Sequence, residues 1–180
     1  MKNYLNGLDV QAYKETCDQI RKNPALAKSQ FRLQNTWEKG GHNKVRIEGF
    51  YAAGEERKRK TPFEFDADEP HVLLGEDKAA NPVEYLLSAL SGCMTTSIIY
   101  HAAARGLKID ALRSDFTGDL DLQGFLDLSK DVPKGYQKID AVFHVKTDAP
   151  IEELEPLYRF SPVYAMISKT IPINVTFVKD

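Results

Sequence analysis

Between Leu86 and Ala104 the chain places apolar or small side chains on nearly every helical face, a pattern that limits what it can fold into. Asn81 reads as an N-cap, Pro82 as the first helical position and Gly106 as the residue just past the end. The spacing predicts one helix over 81–105, about 36 Å long at 1.5 Å per residue. A helix with no polar face has to be covered from more than one side, so the rest of the chain has to supply those layers. Ser88, Ala89 and Gly92 are small enough to let another backbone approach. Cys93 sits in the middle of this segment.

The flanking sequence supplies the layers. Val10, Tyr13, Cys17 and Ile20 recur at helical spacing over 6–22, and Asn23-Pro24 ends that helix. Two alternating strands follow. Phe31, Leu33 and Trp37 share one face of the first. In the second, Val45, Ile47 and Tyr51 oppose Lys44, Arg46 and Glu48. Gly40-Gly41 marks the turn between them. The charged run 55–60 reads as a solvated hairpin loop leading to a short strand at 62–65; no aromatic is interleaved to make it a nucleic-acid patch.

Beyond the apolar helix, Leu112, Phe116 and Leu120 alternate with polar residues, as do Ile139, Ala141, Phe143 and Val145. Pro150 opens a helix that Pro156 disturbs, Ser161-Pro162 opens another, and Ile171–Phe177 forms the last strand. Strands grouped in this way predict an α+β fold, with antiparallel sheets packed on a long buried central helix. Residues 1–28 are expected to be an added N-terminal helix and residues 29–180 a single domain.

Composition narrows the function. A net charge of -2 in 180 residues provides no field for nucleic acid or an anionic membrane. No stretch is long and apolar enough for a membrane span, and the start has no secretory core. Two cysteines suit a reducing compartment, so a cytoplasmic location is expected. The four histidines are scattered without ligand spacing, and no phosphate- or dinucleotide-binding fingerprint appears, so neither a metal nor a cofactor is expected.

Cys93 leaves two readings open. A buried cysteine can serve as a small hydrophobe, or as a protected nucleophile. It lies about three turns from the helix start, where the macrodipole has faded, so activation needs a cation or hydrogen-bond donor from elsewhere. On a 3.6 period it shares its face with Leu86, Ala89, Leu90, Thr96, Ser97, Tyr100 and Ala104.

Asp68-Glu-Pro70, Leu74-Gly-Glu-Asp77 and Asn81-Pro-x-Glu-x-Leu-Leu-x-Ala-Leu-x-x-Cys93, with Ser161-Pro162 at a late helix, resemble the OsmC/Ohr family of osmotically inducible and organic hydroperoxide resistance proteins. The resemblance covers about residues 30–180. It implies an intertwined homodimer in which a cysteine at the position of Cys93 reduces hydroperoxides to give a sulfenic acid, which a thiol then resolves. It also implies an arginine from the early strands, a glutamate early in the helix and a second, resolving cysteine. Here those positions hold His42, Val83 and Ser161. Glu84, nine residues before Cys93, lies on the opposite helical face. The expected site is therefore Cys93 as the peroxidatic thiol, His42 and Arg46 as groups stabilising the thiolate or the leaving oxygen, and Ser161 and Tyr100 as binding residues. Arg32 is a weaker candidate than Arg46. The expected partners are a second copy, a small hydroperoxide and a thiol reductant. A non-catalytic carrier or sensor with Cys93 as pocket lining is the alternative.

Overall fold

The start of the chain departs from the predicted 6–22 helix. Asn6 and Gly7 both take left-handed φ values, 51° and 78°, and close a hairpin of β1 (Tyr4–Leu5) and β2 (Leu8–Asp9). This is the Asn-Gly signal of a two-residue turn, which overrides the helical spacing. The Asn6 side chain donates to the Leu107 carbonyl at 2.9 Å and accepts the Ile109 amide at 2.8 Å. Helix α1 then spans Val10–Lys22. The structure, a computed structural model, describes residues 3–180 and divides into two compact units: residues 12–86, and residues 87–180 with the chain up to Gln11.

In the 12–86 unit, the first predicted strand is broken into β3 (Gln30–Phe31) and β4 (Gln34–Lys39), both pairing with β5 (His42–Ala52). The turn falls at Gly40-Gly41 as the sequence indicates, and the Trp37 indole donates to the Gly40 carbonyl at 3.0 Å. The charged run is not a loop: β6 is continuous from Glu55 to Ala67. The tight turn is Ala53-Gly54, with φ of 54° and 85°, and the charges are neutralised locally by Lys58–Glu48, Arg57–Glu55 and Arg32–Glu56 pairs. Of these, Lys58–Glu48 crosses the β5–β6 ladder, where an opposite-charge pair stabilises it, so a charged segment can be strand. The β5–β6 register slips between Ile47 and Gly49.

A loop follows in which Asp68, 1% exposed, accepts the amides of Glu69, Glu76 and Lys78 at 2.8, 3.2 and 3.3 Å. It leads into α2 (Pro82–Ala104). Asn81 and Glu84 cap this helix reciprocally: the Asn81 side chain accepts the Glu84 amide at 2.9 Å, and the Glu84 carboxylate accepts the Asn81 amide at 2.8 Å. Gly106, at φ 79°, ends it.

In the 87–180 unit, β7 (Ala111–Leu120) leads to the short helix α3 (Leu122–Phe125) and then to β8 (Tyr136–Lys146). Helix α4 (Ile151–Leu154) passes at Pro156 into a tighter turn, and α5 (Pro162–Ile167) precedes β9 (Ile173–Lys179). β7 is antiparallel to the central β8, whereas β9 runs parallel to it. The core comprises Ile139, Ala141, Phe143 and Val145 on one face of β8 and Leu90, Met94, Ile98 and Ala102 along α2, all at most 1% exposed. Each of these side chains apart from the alanines contributes about 1.5–3 kcal/mol by leaving water. The architecture is the expected α+β.

Within the chain α2 is not covered all round. One stripe is buried, while Ser88, Ala89, Gly92, Thr96 and Tyr100 on the other side are exposed. In the 12–86 unit only Ala67 and Asp68 are buried, and Phe31, Leu33, Trp37 and Phe63 are open to solvent.

Candidate functional site

Cys93 is a free, half-buried thiol at the border between the buried stripe of α2 and its open side. Its carbonyl accepts the Ser97 hydroxyl at 2.9 Å. The open side beside it consists of Ala89, Gly92, Thr96 and Tyr100, with Tyr100 43% exposed. A thiol placed there is neither sealed in a core nor fully solvated.

Ser161, in the same unit, is completely buried, and its hydroxyl accepts the Tyr164 amide at 3.1 Å as the N-cap of α5. Burial, followed by Tyr158, pushes the Tyr164 hydroxyl up from its ordinary value. Glu84 is held in the cap of α2, which accounts for its carboxylate.

His42 and Arg46 are in the other unit, four residues apart on β5 and therefore on one face of its sheet. His42 Nε2 is 2.8 Å from Asp66 Oδ1 on β6. Arg46 is paired with Glu64, its neighbour across the ladder. His42 lines a cavity of about 180 Å³ with Gly40, Gly41, Leu74, Gly75 and Asp68 among its walls. Arg32 and Arg46 line a separate groove of about 470 Å³ together with Glu48, Glu56, Arg57 and Lys58. Hydrogen bonding to Glu56 holds the Arg32 guanidinium above its ordinary pKa.

The loop that bounds the His42 cavity carries its own electrostatics. Burial works against the Asp68 charge, but its three backbone amides and then His42 hold the carboxyl below its usual range. Glu69 is pushed the other way, by burial and then by Asp68 and Glu84. Among the described residues no group of three His, Cys, Asp or Glu side chains is arranged to hold a metal, and no helix is long and apolar enough to cross a membrane.

The structure thus groups Cys93, Tyr100 and Ser161 in one unit, and His42 and Arg46 on one sheet in the other. Asp66, Glu64 and Asp68 are the residues that sequence reasoning missed. The Asp and Glu that partner His42 and Arg46 fall near them only through the β5–β6 register, which the sequence does not display.

An α+β chain with a free thiol on its long helix is the class that fold and site define. Residues 75–178, more than half of the chain, match the family model described as OsmC-like protein, and the chain belongs to that family. No curated protein matches it in sequence. Among solved structures it is similar to an OsmC-like protein from Mycoplasma pneumoniae, with 16% identity and a TM-score of 0.62, over 83% of this chain and 96% of that one. It is also similar to an organic hydroperoxide resistance protein from Elizabethkingia anophelis, with 15% identity and a TM-score of 0.59, over 83% and 97%. A hydroperoxide resistance protein from Legionella pneumophila aligns at 15% identity and a TM-score of 0.54, over 82% and 95%. At these identities the likeness is one of fold.

Proposed function

We propose that the protein is a cytoplasmic, homodimeric stress-response protein that reduces a hydroperoxide through Cys93 alone. The observation that carries this reading is a free, half-buried thiol on the apolar helix of an OsmC-like fold. A thiolate attacks one peroxide oxygen, the O–O bond breaks, and sulfur becomes a sulfenic acid. With a serine at 161, a low-molecular-weight or protein thiol from outside resolves it, forming a mixed disulfide and water. His42 and Arg46 act as the stabilising groups and Tyr100 borders the site, while Ser161, fully buried as the N-cap of α5, serves the fold rather than the chemistry. The apolar surface left open by Phe31, Trp37 and Phe63 and by the outer side of α2 supports a second copy as partner.

One observation favours the alternative of a carrier or sensor: the Ser161 hydroxyl, His42 and Arg46 are all already engaged within the chain. The two readings separate on one experiment. Reduced protein is treated with tert-butyl hydroperoxide in the presence of a sulfenic-acid trap, and the intact mass is read beside Cys93→Ser. The peroxidase reading requires one trapped adduct in the wild type and none in the variant; no adduct in the wild type leaves the carrier reading standing.

A further inference from the structure

Asn6-Gly7 is the one Asn-Gly pair in the chain, and it closes a hairpin with only Tyr4–Leu5 facing Leu8–Asp9. A two-stranded hairpin of that size is marginal in water on its own. The Asn6 side chain ties it to the link between α2 and β7, which belongs to the same compact unit. Its Nδ2 donates to the Leu107 carbonyl at 2.9 Å, and its Oδ1 accepts the Ile109 amide at 2.8 Å. These are the two bonds that a parallel strand would make on either side of Lys108. A side-chain amide supplies the donor and the acceptor together, whereas a carboxylate only accepts. The hairpin in turn seats the start of α1: the Val10 amide donates to the Asn3 carbonyl at 2.9 Å, and Val10 is buried.

We infer that Asn6 is a modification site as well as a clasp: hydrolysis of its side-chain amide releases the N-terminal hairpin, and the two bonds to Leu107 and Ile109 protect that amide while the hairpin is fastened. Asn-Gly is the pair in which this hydrolysis meets least hindrance, because Gly7 has no Cβ to shield its amide nitrogen. The Gly7 nitrogen attacks Asn6 Cγ and loses its proton. An N–C bond forms, the Cγ–Nδ2 bond breaks, and ammonia leaves with that proton. Water then opens the cyclic imide at one of its two carbonyls, giving an aspartate or an isoaspartate with no change of oxidation state. The attack requires the amide to rotate out of both hydrogen bonds. Afterwards the clasp cannot refasten. An aspartate at this position has no donor for the Leu107 carbonyl and sets one oxygen against another. An isoaspartate lengthens the backbone inside the tight turn. The release therefore runs one way.

Two measurements on the full chain test this. In the first, folded protein and protein in concentrated urea are held in the same mildly alkaline buffer, and the gain of mass at Asn6 is followed by peptide mapping. The folded protein should convert about 10-fold more slowly or slower still, because opening the clasp precedes the attack. Equal rates overturn the inference. In the second, hydrogen exchange reads the Val10 and Ile109 amides in wild type, in Asn6→Asp and in aged wild type whose Asn6 has converted. Asp-Gly suits the same turn as Asn-Gly, so Asn6→Asp isolates the lost donor. Protection of both amides should fall about 10-fold in the variant and in the aged protein alike. Protection within about threefold of wild type in Asn6→Asp overturns the inference. If that variant does not fold, the comparison of conversion rates in the wild type decides it alone.

Discussion

The Ser161 hydroxyl accepts the backbone amide of Tyr164 at 3.1 Å in a fully buried position. The residue at the point where family resemblance calls for a resolving thiol is therefore part of the scaffold of α5. Removing a buried N-cap costs about 1–2 kcal/mol. Ser161→Ala is expected to lower stability by that amount in urea unfolding. The rate at which peroxide labels Cys93 should be unchanged, because no step of the proposed chemistry uses the hydroxyl. A large fall in labelling in a folded Ser161→Ala protein would place the hydroxyl in the reaction.

Two glycines are expected to respond in opposite directions. At Gly49, in the β5–β6 register slip, an added Cβ would lie 2.7 Å from the Arg57 carbonyl oxygen. Backbone cannot yield as a flexible side chain can, so Gly49→Ala should destabilise by about 1–3 kcal/mol. At Gly92, in the interior of α2, nothing beyond its own chain neighbours and the adjacent helix backbone lies within 4 Å of an added Cβ. Gly92→Ala should then gain roughly 0.5–1 kcal/mol of helix propensity. A loss at Gly92 instead, measured at a concentration where the protein is dimeric, would report a second copy packed on that side of the helix.

Asp68 ties its loop together through three amides, and its carboxyl titrates below the ordinary aspartate value of 3.8. A lowered folded-state pKa means that the unfolded chain binds more protons in acid. The stability Asp68 contributes is therefore complete above that ordinary value and is lost as pH falls through the folded one. Asp68→Asn replaces one acceptor oxygen by a donor, and should lower Tm by roughly 5 °C at neutral pH. Its melting temperature should also depend less on pH below about 4 than that of the wild type. Thermal melts of both proteins between neutral pH and pH 3 check the two statements together.

Much of this was legible because local signals and tertiary structure agree. Asn81-Pro82 and Gly106 bound α2, Ser161-Pro162 opens α5, and Val45, Ile47 and Tyr51 alternate as the strand requires. Asn6-Gly7 and the Asn81-to-Glu84 capping box carry signals of equal strength, but the first competes with the helical spacing of residues 6–22 and the second with the glutamate that the family resemblance places early in the helix. The 55–60 strand was not legible, since its pairing partners are Gly49, Phe50, Tyr51 and Ala52 across the Ala53-Gly54 turn, and its charges meet Glu48 and Arg32 only once that register exists. The site shows the same division. Cys93 stands out by its place in an apolar helix, but the carboxylates that hold His42 and Arg46 arrive from β6 through ladder register. No spacing along the chain reports that register.

His101 offers a pH test in the other unit. Its ring stacks on Phe160 with centroids 3.9 Å apart, and the Arg105 guanidinium lies 5.5 Å from the same Phe160 ring. Burial, and then the Arg105 charge, hold His101 below its ordinary value of 6.5. In the window just below 6.5 the unfolded chain consequently binds more protons than the folded one, so stability rises with pH there and falls on acidification through the folded value. Partial exposure keeps the slope well under that of a whole proton. His101→Gln should flatten this part of the profile while leaving the more acidic fall governed by Asp68 in place. Urea unfolding of both proteins in steps between pH 7 and pH 5 decides it: parallel profiles would mean that His101 is not the group that titrates, whereas convergence toward pH 5 would assign the slope to the His101–Phe160 stack.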